Sequence, residues 1–130
     1  KTDNVFEGLT LSFVFGILFA PVAFLVGVDF DSLLVVGQLF GEKLAINEFV
    51  AYVHMNDLIE AGHLTNPKAI LISTYALCGF ASFTGMGIQI GGISVLAPGQ
   101  RSNLAKLAFR AVVGGTCATL MTASIAGAIT

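Results

Sequence analysis

The chain has 130 residues, of which 55% are hydrophobic and 11% charged, with a mean hydropathy of +0.88 and a net charge of −2. Soluble domains carry roughly 25% charged residues, so this composition excludes a water-coated globule and points to a membrane protein. Six basic against eight acidic residues also exclude a nucleic-acid partner, which needs a basic face.

The opening KTDNVFEG has mixed charge, no initiator Met and no signal-peptide pattern. It reads as the start of a piece of a longer protein. Leu9–Val28 then runs 20 residues without a charge. As a helix it would span about 30 Å, one hydrocarbon core. Pro21 is expected to kink it, which membrane helices tolerate. Residues 1–31 are therefore assigned to a scaffold transmembrane helix, which Asp29-Phe30-Asp31-Ser32 ends with residues suited to capping the next helix.

Ser32–Gly41 is uncharged but only ten residues long, too short to span. Gly41-Glu42-Lys43 interrupts it, and LAINEFVAYVHMNDL follows. Two half-length helices joined at that polar turn predict a re-entrant hairpin over residues 32–57. The polar stretch 58–66 is an aqueous loop, with Thr65 or Asn66 capping the next helix and Pro67 in its first turn.

Ala69–Gln100 carries no charge over 32 positions, more than one untilted span needs. Its middle, GFASFTGMGIQIGG, is rich in glycine and polar groups. The expectation is an interrupted transmembrane helix over 67–98, broken near 82–87. Backbone released at membrane depth has to line a cavity or pack against protein. Arg101, Lys106 and Arg110 follow Ala97-Pro98-Gly99. They predict a cytoplasmic loop at 99–110, then a last span to Thr130 with the C-terminus outside. The fold class is all-α: transmembrane helices, a re-entrant helical hairpin and one interrupted helix.

GMGIQIG does not match a dinucleotide loop, because its third glycine falls one residue late and no strand precedes it. Gly87-x-x-x-Gly91 reads instead as a helix-packing motif. His54 and His63 lack metal-ligand spacing, and His54 is assigned to the interface. Cys78 and Cys117 are read as free thiols.

Glu48 is the sharpest signal. An acid at membrane depth costs a few kcal/mol and persists only beside a partner or a wet cavity. Lys43, five positions earlier, meets it only awkwardly. A short hairpin and a discontinuous helix converging on a midplane site is a secondary-transporter architecture. A carboxylate there accepts hydrogen bonds, which suits hydroxyl donors such as a sugar's. A proton-carrying oligomeric membrane protein would also use a lone acid among small residues. It leaves the ten-residue segment and the 32-residue run without a role. No nucleophile–base pair argues for an enzyme.

Asn47-Glu48-Phe49-Val50-Ala51-Tyr52, Ala76-Leu77-Cys78-Gly79-Phe80-Ala81 and Gly87-Ile88-Gln89-Ile90-Gly91-Gly92, with Leu96-Ala97-Pro98 and Arg101-Ser102, resemble the C-terminal portion of the concentrative nucleoside transporter family. The resemblance implies the second repeat of an inverted-repeat homotrimer, a multi-pass protein of the bacterial inner (plasma) membrane. It implies nucleoside uptake driven by Na⁺ or H⁺ and no other cofactor, with the ion site mostly in a missing N-terminal half. It places Glu48, with Asn47 beside it, and Phe80 on the ribose. Two positions depart: Ser82 stands where the family usually has Asn, and Gly85 where it usually has Ser. Both positions contact ribose hydroxyls in the family, so ribose recognition is expected to differ here.

Overall fold

The computed structural model describes residues 11–130, all of its regular structure helical. Residues 1–10, including the start of the first apolar run, lie outside the described residues. The helices are α1 (Leu11–Val26), α2 (Leu33–Ala45), α3 (Glu48–Glu60), α4 (Pro67–Leu77), α5 (Phe83–Leu96) and α6 (Arg101–Ile129), with 3-10 turns at Phe30–Ser32 and Pro98–Gln100.

Pro21 sits inside α1 without ending it. The end comes at Gly27, whose φ of 100° is open to glycine at little steric cost. Gly27 N–H donates to Phe24 O at 3.0 Å and Val28 N–H to Ala23 O at 3.1 Å, the pair of bonds that closes a helix end through a left-handed residue. The chain turns back through Phe30–Ser32, and α2 packs antiparallel on α1. Glycines make that crossing close: a Cβ on Gly37 would lie 2.7 Å from Gly16 O, and one on Gly41 would lie 2.3 Å from Phe15 Cβ.

Residues 41–43 form no turn. Helix α2 continues through them to Ala45, and the chain reverses at Ile46-Asn47. The reason is tertiary. Glu42 and Lys43 are 6% and 4% exposed and each finds hydrogen-bond partners inside the protein, so neither has to break the helix to reach water. Helix α3 also runs on to Glu60, which shortens the expected 58–66 loop to 61–66. Asn66 caps α4, its side chain accepting from Lys68 N–H at 2.9 Å, with Pro67 at the first helical position. Its amide also donates to Asp29, fastening this loop to the end of α1.

Two further boundaries differ from expectation. The break in the long apolar run lies at residues 78–82, and residues 83–87 already belong to α5. Glycine is only mildly unfavourable in a helix, so Gly85 and Gly87 do not unwind it, and the capping residue Ser82 decides where it starts. Residues 101–110 are helical rather than a loop, forming the first turns of α6. They contain neither Gly nor Pro and are mostly good helix formers. Their charges interrupt the hydropathy without interrupting the backbone.

The core gathers Ala23, Val36, Leu39, Ala51, Ile72 and Leu77 from α1 to α4. Helix α6 packs antiparallel along α4, where Gly127 admits the Ile72 side chain. Helix α5 contributes no buried residue, and no atom of another element comes within 4 Å of a Cβ placed on Gly87 or Gly91. The expected packing face at these glycines is therefore unpartnered among the described residues. Among the described residues one helix, Pro98–Ile129 with its leading turn, is long and apolar enough to cross a membrane, at a mean hydropathy of 1.6; α1 and α5 are apolar but shorter.

Candidate functional site

The site grows from two places where helices stop. The first is the turn between α2 and α3. Asn47 is extended (φ −168°, ψ 172°), and its side-chain oxygen accepts from Val50 N–H at 2.9 Å. This cap satisfies one of the free donors at the start of α3. It also fixes Glu48 in the first turn, where a carboxylate is favoured by the helix dipole.

The second is the five-residue break between α4 and α5. Cys78 N–H still reaches Thr74 O at 3.2 Å, and Gly79 N–H then folds tightly onto Leu77 O at 2.8 Å. Gly79 passes so close to α6 that a Cβ there would lie 2.5 Å from Thr119 Cγ2. Phe80 projects outward, 85% exposed, while Ser82 is only 2% exposed. Ser82 Oγ accepts from Gly85 N–H at 3.2 Å and so caps α5.

These two ends face one another across an open cavity of about 350 Å³ lined by Asn47, Glu48, Phe80, Ser82, Gly85 and Gln89, with Phe49, Thr84 and Ile88 completing the wall. All five residues singled out from the sequence and its resemblance meet there. The volume falls within the about 300–1,000 Å³ of small-molecule sites. An aromatic face, a carboxylate and several amide and hydroxyl groups can together hold a flat polar solute with hydroxyls.

The two departing positions are coupled. A Cβ on Gly85 would lie 3.1 Å from Ser82 Oγ, so a side chain at 85 would crowd the cap. Ser82 oxygen is engaged, leaving chiefly its proton to offer the cavity. Removing the hydroxyl, as Ser82→Ala, is expected to cost about 1 kcal/mol at the start of α5. Hydrogen exchange at Gly85 N–H should rise about fivefold, read by mass spectrometry of the 82–88 peptide, while Ser82→Thr stays near the original rate.

Residues 2–127 match the family model described as "Na+ dependent nucleoside transporter C-terminus". The chain belongs to the concentrative nucleoside transporter family, as part of its C-terminal portion. The uncharacterized transporter YutK of Bacillus subtilis is 44% identical over 121 residues, covering 93% of this chain and 29% of that protein. Solute carrier family 28 member 3 of Mus musculus is 40% identical over 131 residues, covering 92% of this chain and 19% of that protein. The structure of CNTnw in an inward-facing substrate-bound state superposes with a TM-score of 0.83 at 39% identity, over 91% of this chain and 30% of that one. The chain thus spans less than a third of the relatives it matches. Membership makes it a helical segment of a membrane protein, and the relatives it matches are named as transporters.

Within the chain, sequence reading misses a second polar cluster. Glu42 accepts from Ser12 Oγ at 3.0 Å and Gln38 Nε2 at 3.2 Å, and lies 2.7 Å from His54 Nδ1. His54 is thus half-buried against an acid. Among the described residues no group of three or more His, Cys, Asp or Glu could hold a metal. Cys78 and Cys117 are free and exposed. The signal that could have found Glu42 and Lys43 is the one that singled out Glu48: charge inside an apolar run.

Proposed function

We propose that the chain is the C-terminal part of a cation-coupled nucleoside symporter and forms the ribose side of its substrate site. The observation that carries this is the single cavity joining the capped start of α3 to the break before α5. Glu48 accepts from ribose hydroxyls, Phe80 packs on the sugar, and Asn47, Ser82 and Gly85 complete the wall. Ser82 and Gly85 offer little side-chain polarity, so Thr84 and Gln89 take a larger share of hydroxyl recognition. Helices α2 and α3 are the re-entrant hairpin, and α4 and α5 are the two parts of an interrupted span.

The whole protein is a homotrimer in the plasma membrane, with lipid against the exposed apolar faces of α1, α5 and α6. The start of α6, carrying Arg101, Lys106 and Arg110, is cytoplasmic, and the C-terminus is outside. The remaining length supplies the base-reading groups and most of the Na⁺ or H⁺ site. Support comes from the family, the "Na+ dependent" description of its model, and the substrate-bound state of the similar CNTnw.

The test is uptake of labelled uridine by the complete transporter in proteoliposomes, with an inward Na⁺ gradient, an inward proton gradient, or neither. Accumulation under one gradient is the expected result. No accumulation of uridine or any competing nucleoside under either gradient would remove this reading.

A further inference from the structure

A helix leaves its last carbonyls without intrahelical partners, and α4 ends inside the protein. Side chains of the hairpin, one from each limb, reach two carbonyls of its last turn: Ala76 O, which has no backbone partner, and Thr74 O, which also accepts from Cys78 N–H. Lys43 Nζ on α2 donates to Ala76 O at 2.6 Å, and Tyr52 Oη on α3 donates to Thr74 O at 2.7 Å. Lys43 also donates to Thr119 Oγ1 on α6 at 3.2 Å. Its ammonium therefore ties together three helices at the lip of the 78–82 break.

The charge is placed unusually. Lys43 is 4% exposed. Among the described residues the only ion pair within 4 Å joins His54 to Glu42, so the ammonium has neither Glu48 nor Glu42 as a contact partner. A buried cation without a carboxylate is expensive. With no carboxylate in contact, it is offset by a carbonyl, a hydroxyl, the negative end of the α4 dipole and the charge of Glu48 at longer range. A lysine kept on those terms holds the broken end of a helix and leaves the carboxylate of Glu48 without a direct contact to the ammonium. Glu48 lies five residues beyond Lys43 and four before Tyr52, while Phe80 lies four beyond Ala76.

We propose that Lys43 and Tyr52 are positioning residues that clamp the hairpin onto the broken end of α4 and so set the separation of Glu48 and Phe80 across the cavity. This rests on the reading of that cavity as the sugar side of a nucleoside site. The clamp makes the α2–α3 turn and the 78–82 break move as one body. Removing the ammonium leaves Ala76 O unpaired in the interior, and the break relaxes away from the hairpin.

The experiment uses the complete transporter with Cys117→Ser and every other cysteine outside this segment replaced, so that Cys78 is the only thiol and reports on the break. Lys43→Met is expected to raise the KM for uridine about tenfold with kcat within about twofold, and to speed N-ethylmaleimide alkylation of Cys78 about tenfold. Lys43→Arg should recover most of both. Tyr52→Phe, which deletes one hydroxyl, should shift each by about threefold. Unchanged KM and unchanged alkylation in Lys43→Met, or an Arg variant no better than Met, overturn the clamp. Should Lys43→Met fail to reach the membrane, Tyr52→Phe and Thr119→Val decide, since both keep the ammonium: raised KM and faster alkylation support the proposal, and unchanged values overturn it. Glu48→Gln is measured in parallel. Normal uptake by that variant would sink the sugar-side reading, while the alkylation rates would still judge the clamp.

Discussion

Glu48→Gln in the complete transporter is expected to lower uridine kcat/KM by about 10–150-fold, the loss of one charge-assisted hydrogen bond of about 1.5–3 kcal/mol. The side chains are nearly the same size, so the cavity wall stays filled. What changes is chemistry. A carboxylate accepts through both oxygens, and an amide accepts through one and donates through the other end. A ribose offering two hydroxyl protons would then meet an N–H where it had an acceptor. The effect should appear in equilibrium binding of uridine as well as in transport. Protein in the membrane should stay at its normal level, because Glu48 sits in a first turn already capped by Asn47. Two comparisons sharpen the test. Glu48→Asp keeps the charge but draws it back by one methylene, and should fall between wild type and Gln. A 2′,3′-dideoxynucleoside, lacking those donors, should lose much less on going from Glu to Gln. Equal losses for both substrates would mean that the carboxylate acts on something other than ribose hydroxyls.

Glu48 is legible from the sequence for a physical reason: charge in an apolar run demands a partner or water, and Asn47 three residues before Val50 is a local cap. The end of the break is legible in principle, since Ser82 with a free N–H three residues later is also local chemistry. Counting glycines draws attention to 82–87 instead, past the residues that part from the helix. Glu42 and Lys43 show the other limit. They look like a turn because they are charged. Gln38 is a local partner of Glu42, but most of the others lie far along the chain: Ser12 is 30 residues away, Ala76 is 33 and Thr119 is 76. No local window contains those distant groups, so hydropathy alone puts the reversal at 41–43 rather than at 46–47. The start of α6 repeats the lesson, because Arg101, Lys106 and Arg110 interrupt the hydropathy without interrupting that helix. Phe80, Ser82 and Gly85 enter through family resemblance, since a single exposed Phe beside glycines has no local signature of a site.

The second large effect concerns what holds the hairpin in place. Gly37→Val is expected to prevent the complete transporter from being recovered as a folded protein, and Gly37→Ala to lower its unfolding temperature in detergent by several degrees. A Cβ at 37 would lie 2.7 Å from Gly16 O, 2.9 Å from Ala20 N and 3.1 Å from Phe19 C. All three obstacles are backbone, so no rotamer change relieves them and the helices have to separate. Overpacking of this kind costs about 1–3 kcal/mol for a methyl group and more for a branched side chain. Separation has a second consequence: Ser12, on the same helix as Gly16, withdraws from Glu42 and leaves a buried carboxylate short of a donor. The loss should therefore exceed what the clash alone predicts. Gly99→Ala is the control, because nothing lies within 4 Å of a Cβ there, and its unfolding temperature should stay within about a degree, as for an exposed surface site. An unchanged unfolding temperature in Gly37→Ala would show that α1 and α2 stand farther apart than this crossing requires, and the polar cluster around Glu42 would need another support.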